Sequence, residues 1–149
     1  MAENPDILGT WSNDVDLYGL SSEEQTPIVF RPDGTGWIAF ERWGITCELD
    51  TFAWHFETDG RLCVRGDKYD DGDSEGASTF SYEGVVNVRS EKAPSGKIMP
   101  IITFDPPFWL QERKWGLISP SPDFLGVPKP TKSDQIKRML RKKPWWRFW

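Results

Sequence analysis

Phe30-Arg31-Pro32-Asp33-Gly34-Thr35-Gly36 is the stretch on which the fold turns. Proline presets the first turn position, Asp33-Gly34 supplies a left-handed corner, and apolar runs stand on both sides. The segment therefore reads as a three-residue hairpin loop. Pairing Arg31 with Thr35 puts Phe30 opposite Gly36 and Ile28 opposite Ile38. Thr58-Asp59-Gly60 repeats the device, so that Glu57 faces Arg61, Phe56 faces Leu62 and Trp54 faces Val64. Both hairpins assemble one apolar face without any shift of register, and both predict a positive φ, at Gly34 and at Gly60.

Carrying the period of two outward predicts an interior of Ile28, Phe30, Ile38, Phe40, Phe52, Trp54, Phe56, Leu62, Val64, Phe80, Tyr82, Val86, Val88, Ile98, Ile102 and Phe104. The opposite face carries Thr51, His55, Glu57, Thr79, Ser81, Glu83 and Asn87. About eight strands result, near 7–12, 26–31, 35–43, 45–57, 61–66, 77–90, 97–104 and 108–118, separated by Gly, Pro, Asp and Ser clusters. Sequential antiparallel strands with almost no helix favour a closed up-and-down barrel, because closure leaves no unpaired edge. A two-sheet sandwich is the alternative. Residues 119–130 contain four prolines and read as an extended connector. After it, Thr131 or Ser133 caps a helix through about Lys143, with Ile136, Met139 and Leu140 on one stripe, and Pro144 stops it. The organisation is thus a barrel over 1–118, a connector over 119–130, and a basic helix with a Trp-rich tail over 131–149.

A chain of 149 residues supports one domain. Its net charge of -5 conceals a segregation. Residues 131–149 carry seven basic side chains against the single acid Asp134, a net of +6, while the first 130 residues carry 11 basic and 22 acidic ones, a net of -11. No run approaches the ~20 apolar residues that cross a bilayer. The opening Met1-Ala2-Glu3-Asn4-Pro5-Asp6 has neither a positive n-region nor an apolar h-region, so the expected location is the cytoplasm. Cys47 and Cys63 have no metal-ligand spacing and are expected to be reduced thiols.

Ile7-Leu8-Gly9-Thr10-Trp11 resembles the Gly-x-Trp opening of lipocalins and the related calycin barrels, including the avidins. The Phe30-to-Gly36 hairpin, and Phe52-x-Trp54 followed by Asp59-Gly60-x-Leu62, resemble bacterial lipocalin-like domains. The resemblance spans roughly residues 7–118. It implies a ligand-holding barrel whose opening Trp11 packs at the closed end beneath a basic side chain of the last strands, the place of Arg113, with a C-terminal helix lying on the wall. Biotin recognition is not implied, since the later Trp-rich motifs of avidins have no counterpart here.

His55 is the only histidine, which leaves too few parts for a His-rich metal centre or a relay. The register sets it across from Cys63 on the outer face, with Cβ atoms about 5 Å apart. No carboxylate is placed to orient the imidazole, so the pair reads as a cross-strand contact and not as a nucleophile. The loop Asp67-Lys68-Tyr69-Asp70-Asp71-Gly72-Asp73-Ser74-Glu75-Gly76 is dense in carboxylates. Tyr69 and Ser78 stand where a calcium loop needs oxygen ligands, the last a Glu, so this is expected to be a solvated hairpin tip that attracts a basic partner. No cofactor or metal is expected.

Arg42, Glu48 and Asp50 fall on the inner face near one rim, where inward charges are tolerable only if paired or wet. They predict an open mouth that orients a small apolar or aromatic ligand above Trp54 and Tyr82. Trp37, Trp43 and Trp109 have the opposite parity and are expected outside the wall, as a docking surface for the chain's own tail or for a second subunit in a homodimer. Four of the last five residues, Trp145, Trp146, Phe148 and Trp149, form a partner-binding unit in this reading. It has three candidate counterparts: the acidic barrel itself, an anionic membrane face contacted peripherally, or a protein or nucleic-acid partner. Nucleic acid is disfavoured, because the acidic body repels phosphates.

Two functions follow. The first is a non-enzymatic binding protein that holds a small hydrophobic ligand in a lipocalin-like barrel. The second is a protein-interaction module, an inhibitor or immunity-type antagonist that uses the acidic surface and the basic Trp-rich tail. An enzyme is not expected, since no acid, base and nucleophile assemble.

Overall fold

A computed structural model describes residues 4–13, 24–42, 45–109 and 113–142. Its strands are β1 (Gly9–Ser12), β2 (Glu24–Gln25), β3 (Ile28–Phe30), β4 (Thr35–Arg42), β5 (Ile45–Phe56), β6 (Leu62–Asp70), β7 (Glu75–Ala77), β8 (Ser81–Lys92), β9 (Ile98–Asp105) and β10 (Lys114–Ser119). The helix α1 spans Ser133–Lys142. All strand pairs are antiparallel and belong to one sheet, in the order β2-β4-β3-β1-β10-β9-β8-β6-β5, and β4 also pairs with β5. The path closes on itself in a barrel-like, up-and-down ring, so the strands that complete it have a partner on each side. The short β7 pairs only with β6.

Both decisive hairpins have the predicted register. Phe30 stands opposite Gly36 and Ile28 opposite Ile38, while Phe56 stands opposite Leu62 and Trp54 opposite Val64. Gly34 and Gly60 have φ of 83° and 88°, which an L side chain adopts only with strain. In each turn the aspartate before the glycine accepts a backbone N–H two residues on, Thr35 to Asp33 and Arg61 to Asp59. That is the reason Asp precedes Gly in both loops.

Register shifts interrupt three ladders, and besides the one in β1–β10 between Thr10 and Trp11 two bulges flank β5. One interrupts β4–β5 between Phe40 and Glu41. In the other, Asp50 faces Tyr69 and Phe52 faces Gly66, so two residues of β6 oppose one of β5. This extra residue turns Tyr69 to the same side as Asp50 and carries β6 to Asp70, past the expected end near 66.

The core is the ring interior. Ile28, Phe30, Ile38, Phe52, Leu62, Val64, Tyr82, Val86, Ile102 and Phe104 are buried there, joined by Ile7, Trp11, Phe108 and Trp115. The indole N–H of Trp11 donates to the Ile7 carbonyl and that of Trp115 to the Thr26 carbonyl, so neither large ring leaves an orphan donor. Ile98 departs from expectation, being 73% exposed. The β8–β9 ladder runs out to Lys92 opposite Ile98, whereas β10 pairs with β9 only at residues 101–103. The hairpin end therefore projects past the ring, where an inward parity meets no core.

Candidate functional site

Of the five side chains predicted to receive a ligand, Tyr82 alone lines either of the two grooves described below. Arg42 is exposed and Glu48 half-buried, whereas Asp50 is only 5% exposed. Asp50 accepts a hydrogen bond from Ser78 Oγ at 2.6 Å. Burial raises its carboxyl above the ordinary 3.8, against the opposing effect of that hydrogen bond. Tyr69, delivered by the β6 bulge, is raised by burial and then by the neighbouring Glu48 and Asp71 carboxylates. This corner is therefore a polar layer satisfied from within the fold. Trp54 sits toward the hairpin tips, its indole donating to the Thr35 carbonyl and its ring near Phe30 and Phe56. The Tyr82 hydroxyl donates to the Pro106 carbonyl at 2.7 Å and is held protonated by burial.

Between these groups lies Phe108. Its ring centroid is 4.5 Å from Phe104, 4.9 Å from Tyr82 and 5.3 Å from Phe80, with Phe30, Phe52 and Trp115 within 6.4 Å. A ligand above Trp54 and Tyr82 would compete with this ring for the same space. Phe108 and Trp109 stand between β9 and β10, outside the long ladders, so strand parity does not govern them. Trp109 consequently packs on Phe80 at 5.6 Å, against the interior core rather than outside the wall. Trp37 does have the outward parity and clusters with Val29, Ala39 and Leu49, yet it is 1% exposed and is not an open docking surface. Trp43 lies outside the described residues.

Among the described residues, two grooves open on the wall. One, of about 590 Å³, lies over β6 and β7, where Leu49, Lys68, Tyr69 and Asp70 meet Glu75 and Ala77. The other, of about 580 Å³, is lined by His55, Glu57, Cys63, Arg65, Ser81 and Glu83 of β5, β6 and β8 and the turn after β5. His55 stands opposite Cys63, and Cys63 opposite Glu83, so the three occupy one row across adjacent strands. Glu57 joins them from the β5–β6 turn. Its Oε1 is 3.1 Å from His55 Nε2 and accepts from Cys63 Sγ at 3.4 Å, while Cys63 also reaches Glu83 Oε1 at 3.4 Å. Burial, then the hydrogen bonds to Glu83 and Glu57, push the Cys63 thiol up to about 11. The histidine and then the thiol hold Glu57 below the carboxylate range. A thiol kept protonated beside two carboxylates is a poor nucleophile. Sequence parity put Glu57 and Glu83 on this face with His55, but the expectation that no carboxylate orients the imidazole is corrected: Glu57 Oε1 reaches His55 Nε2 as well as the sulfur.

The acidic hairpin tip after β6 receives the chain's own backbone at the start of α1. Asp71 caps the turn through the backbone N–H groups of Asp73 and Ser74. Asp73 then accepts from the Ser133 N–H at 3.1 Å at the start of α1, and the Thr131 N–H donates to the Thr46 carbonyl at 2.9 Å. An aspartate at the first turn of a helix also suits the helix dipole. Arg113 is exposed and pairs with Asp105 at 3.2 Å. Trp145, Trp146, Phe148 and Trp149 lie outside the described residues. No described helix is long and apolar enough to cross a membrane. Compared with protein-family models, curated proteins and solved structures, the chain matches none, and the arrangement stands on its own geometry.

Proposed function

We propose that this chain is a non-enzymatic protein-interaction module of the cytoplasm, an inhibitor or immunity-type antagonist that meets its partner on the outside of the barrel. The observation that carries the reading is Phe108, packed inside the ring among six aromatic neighbours, while two grooves among the described residues open on the wall. The acidic outer surface and the basic aromatic C-terminal segment then offer two surfaces of opposite charge, which favours a specific partner and steers its approach. Both cysteines are thiols without a disulfide, in keeping with a reducing compartment. The competing reading, a lipocalin-like barrel that holds a small apolar ligand, requires Phe108 to vacate its place.

The test uses the full chain and a chain ending at residue 143 as baits in lysate of the source cells, followed by affinity measurement with each purified partner. A protein that binds the full chain in a salt-dependent manner, and at least tenfold more weakly to the truncated one, supports the module. An apolar small molecule that co-purifies one-to-one and quenches tryptophan fluorescence on rebinding overturns it in favour of the ligand carrier.

A further inference from the structure

We propose that His55, Glu57 and Cys63, completed by Glu83, form a binding site for a divalent transition-metal ion of zinc type on the outer wall, clipping β5, β6 and β8 together. Two independent observations carry it. The first is backbone register: His55, Cys63 and Glu83 stand directly opposite one another in a row across three neighbouring strands, so all three are presented on one face by the ladder itself. The second is the spacing of the donor atoms. His55 Nε2, Cys63 Sγ and a Glu57 carboxylate oxygen all lie within 4.8 Å of one another. The His55–Glu57 separation is 3.1 Å and both Cys63–carboxylate separations are 3.4 Å. Metal–nitrogen and metal–oxygen bonds of about 2.0 Å and a metal–sulfur bond of about 2.3 Å place neighbouring donors of a tetrahedron roughly 3.3–3.5 Å apart. His55, Glu57 and Cys63 therefore need modest torsional adjustments to take up the ion, and Glu83, which approaches through Cys63 and stands outside that group of three, a larger one.

The donor chemistry selects the ion. One imidazole, one thiolate and carboxylates suit a borderline cation such as Zn²⁺, whereas magnesium and calcium require oxygen alone. Charge favours the same ion: two carboxylates flank one sulfur, and a dication that displaces the thiol proton offsets most of the negative charge that they and the thiolate carry together. Arg61 is the local competitor, since its guanidinium lies 3.5 Å from Glu83 Oε1 while also holding Asp59 at 2.7 Å. Glu83 is for that reason the weakest of the four ligands, and His55, Glu57 and Cys63 are the essential three. The groove above them leaves room for water or a partner's side chain on the ion.

Chelator-stripped full-length chain is titrated with Zn²⁺ by calorimetry and with Co²⁺ by absorption. The expected result is one ion per chain, with a thiolate-to-cobalt charge-transfer band and tetrahedral ligand-field intensity. Cys63→Ser and His55→Ala should each abolish the band and weaken Zn²⁺ by at least a hundredfold, and Glu83→Gln by about tenfold, as for the loss of a supporting contact. Cys47→Ser should leave both signals intact. These positions are on the outer wall, so each variant is first confirmed folded by its near-ultraviolet circular dichroism. No band at equimolar Co²⁺, a band that survives Cys63→Ser, or a band that is lost with Cys47→Ser overturns the site.

Discussion

Replacing Phe108 by alanine removes the ring that stands at the centre of the aromatic interior. Because its neighbours come from several strands of a closed ring, they cannot collapse into the space together, and we expect a loss of about 3–5 kcal/mol in denaturant unfolding. If the cavity accepts benzene or a similar apolar probe, part of that loss is recovered. Asp50 acts in the opposite sense. Its native carboxyl is raised above 3.8 by burial. Between that value and the raised one the native state binds more protons than the unfolded chain, so stability falls as pH rises through this window and is level above it. Asp50→Asn preserves an acceptor for Ser78 without the buried charge. It is expected to be more stable than the parent at neutral pH and to converge with it in acid, as followed by thermal unfolding across pH.

At the scale of elements, the hairpins hold the register and the bulges change it. Gly34 and Gly60 sit at positive φ, where a Cβ costs about 1–2 kcal/mol. Gly34→Ala and Gly60→Ala should therefore each lower the unfolding free energy by that amount, and Gly34→Val by more, read as a lower midpoint in equilibrium denaturation. A variant with unchanged stability would show that the turn relaxes to another type. The β-hairpin loops were legible because Asp-Gly in a short loop admits few backbone solutions. The bulge that pairs Asp50 with Tyr69 was not, because Gly66 is the one local mark of it, and a glycine within a strand suggests a bulge without fixing which residue is the extra one. One inserted residue reverses every later side chain, which is why Tyr69 reaches the Asp50 corner unannounced.

For the whole molecule, the dominant long-range term is the separation of a net -11 body from a net +6 C-terminal segment. The segment is anchored through Thr131 on Thr46 and Ser133 on Asp73, beside the acidic hairpin tip. Deleting residues 131–149 removes those contacts and all of the compensating charge. The remaining body should melt at a lower temperature in low salt and recover part of the loss as salt screens its self-repulsion. A melting temperature that is unaffected by the deletion and by salt would show that the segment contributes nothing to the barrel.

By itself the sequence determined the antiparallel alternation, the two hairpin registers, a helix beginning near Thr131 or Ser133 and the face shared by His55, Cys63, Glu57 and Glu83. These follow from local rules: a period of two, the few conformations open to Asp-Gly, and a helical stripe after a proline-rich connector. Only the tertiary structure decided what fills the ring and which polar atoms meet. Phe108 and Trp109 lie between strands, where no periodicity applies, and their inward position depends on the whole wall closing around them. Asp50 finds Ser78, 28 positions along the chain, and Cys63 finds Glu83, 20 positions along, because three strands close side by side. Such contacts depend on distances set by sheet curvature and bulges, quantities that no short window of sequence encodes.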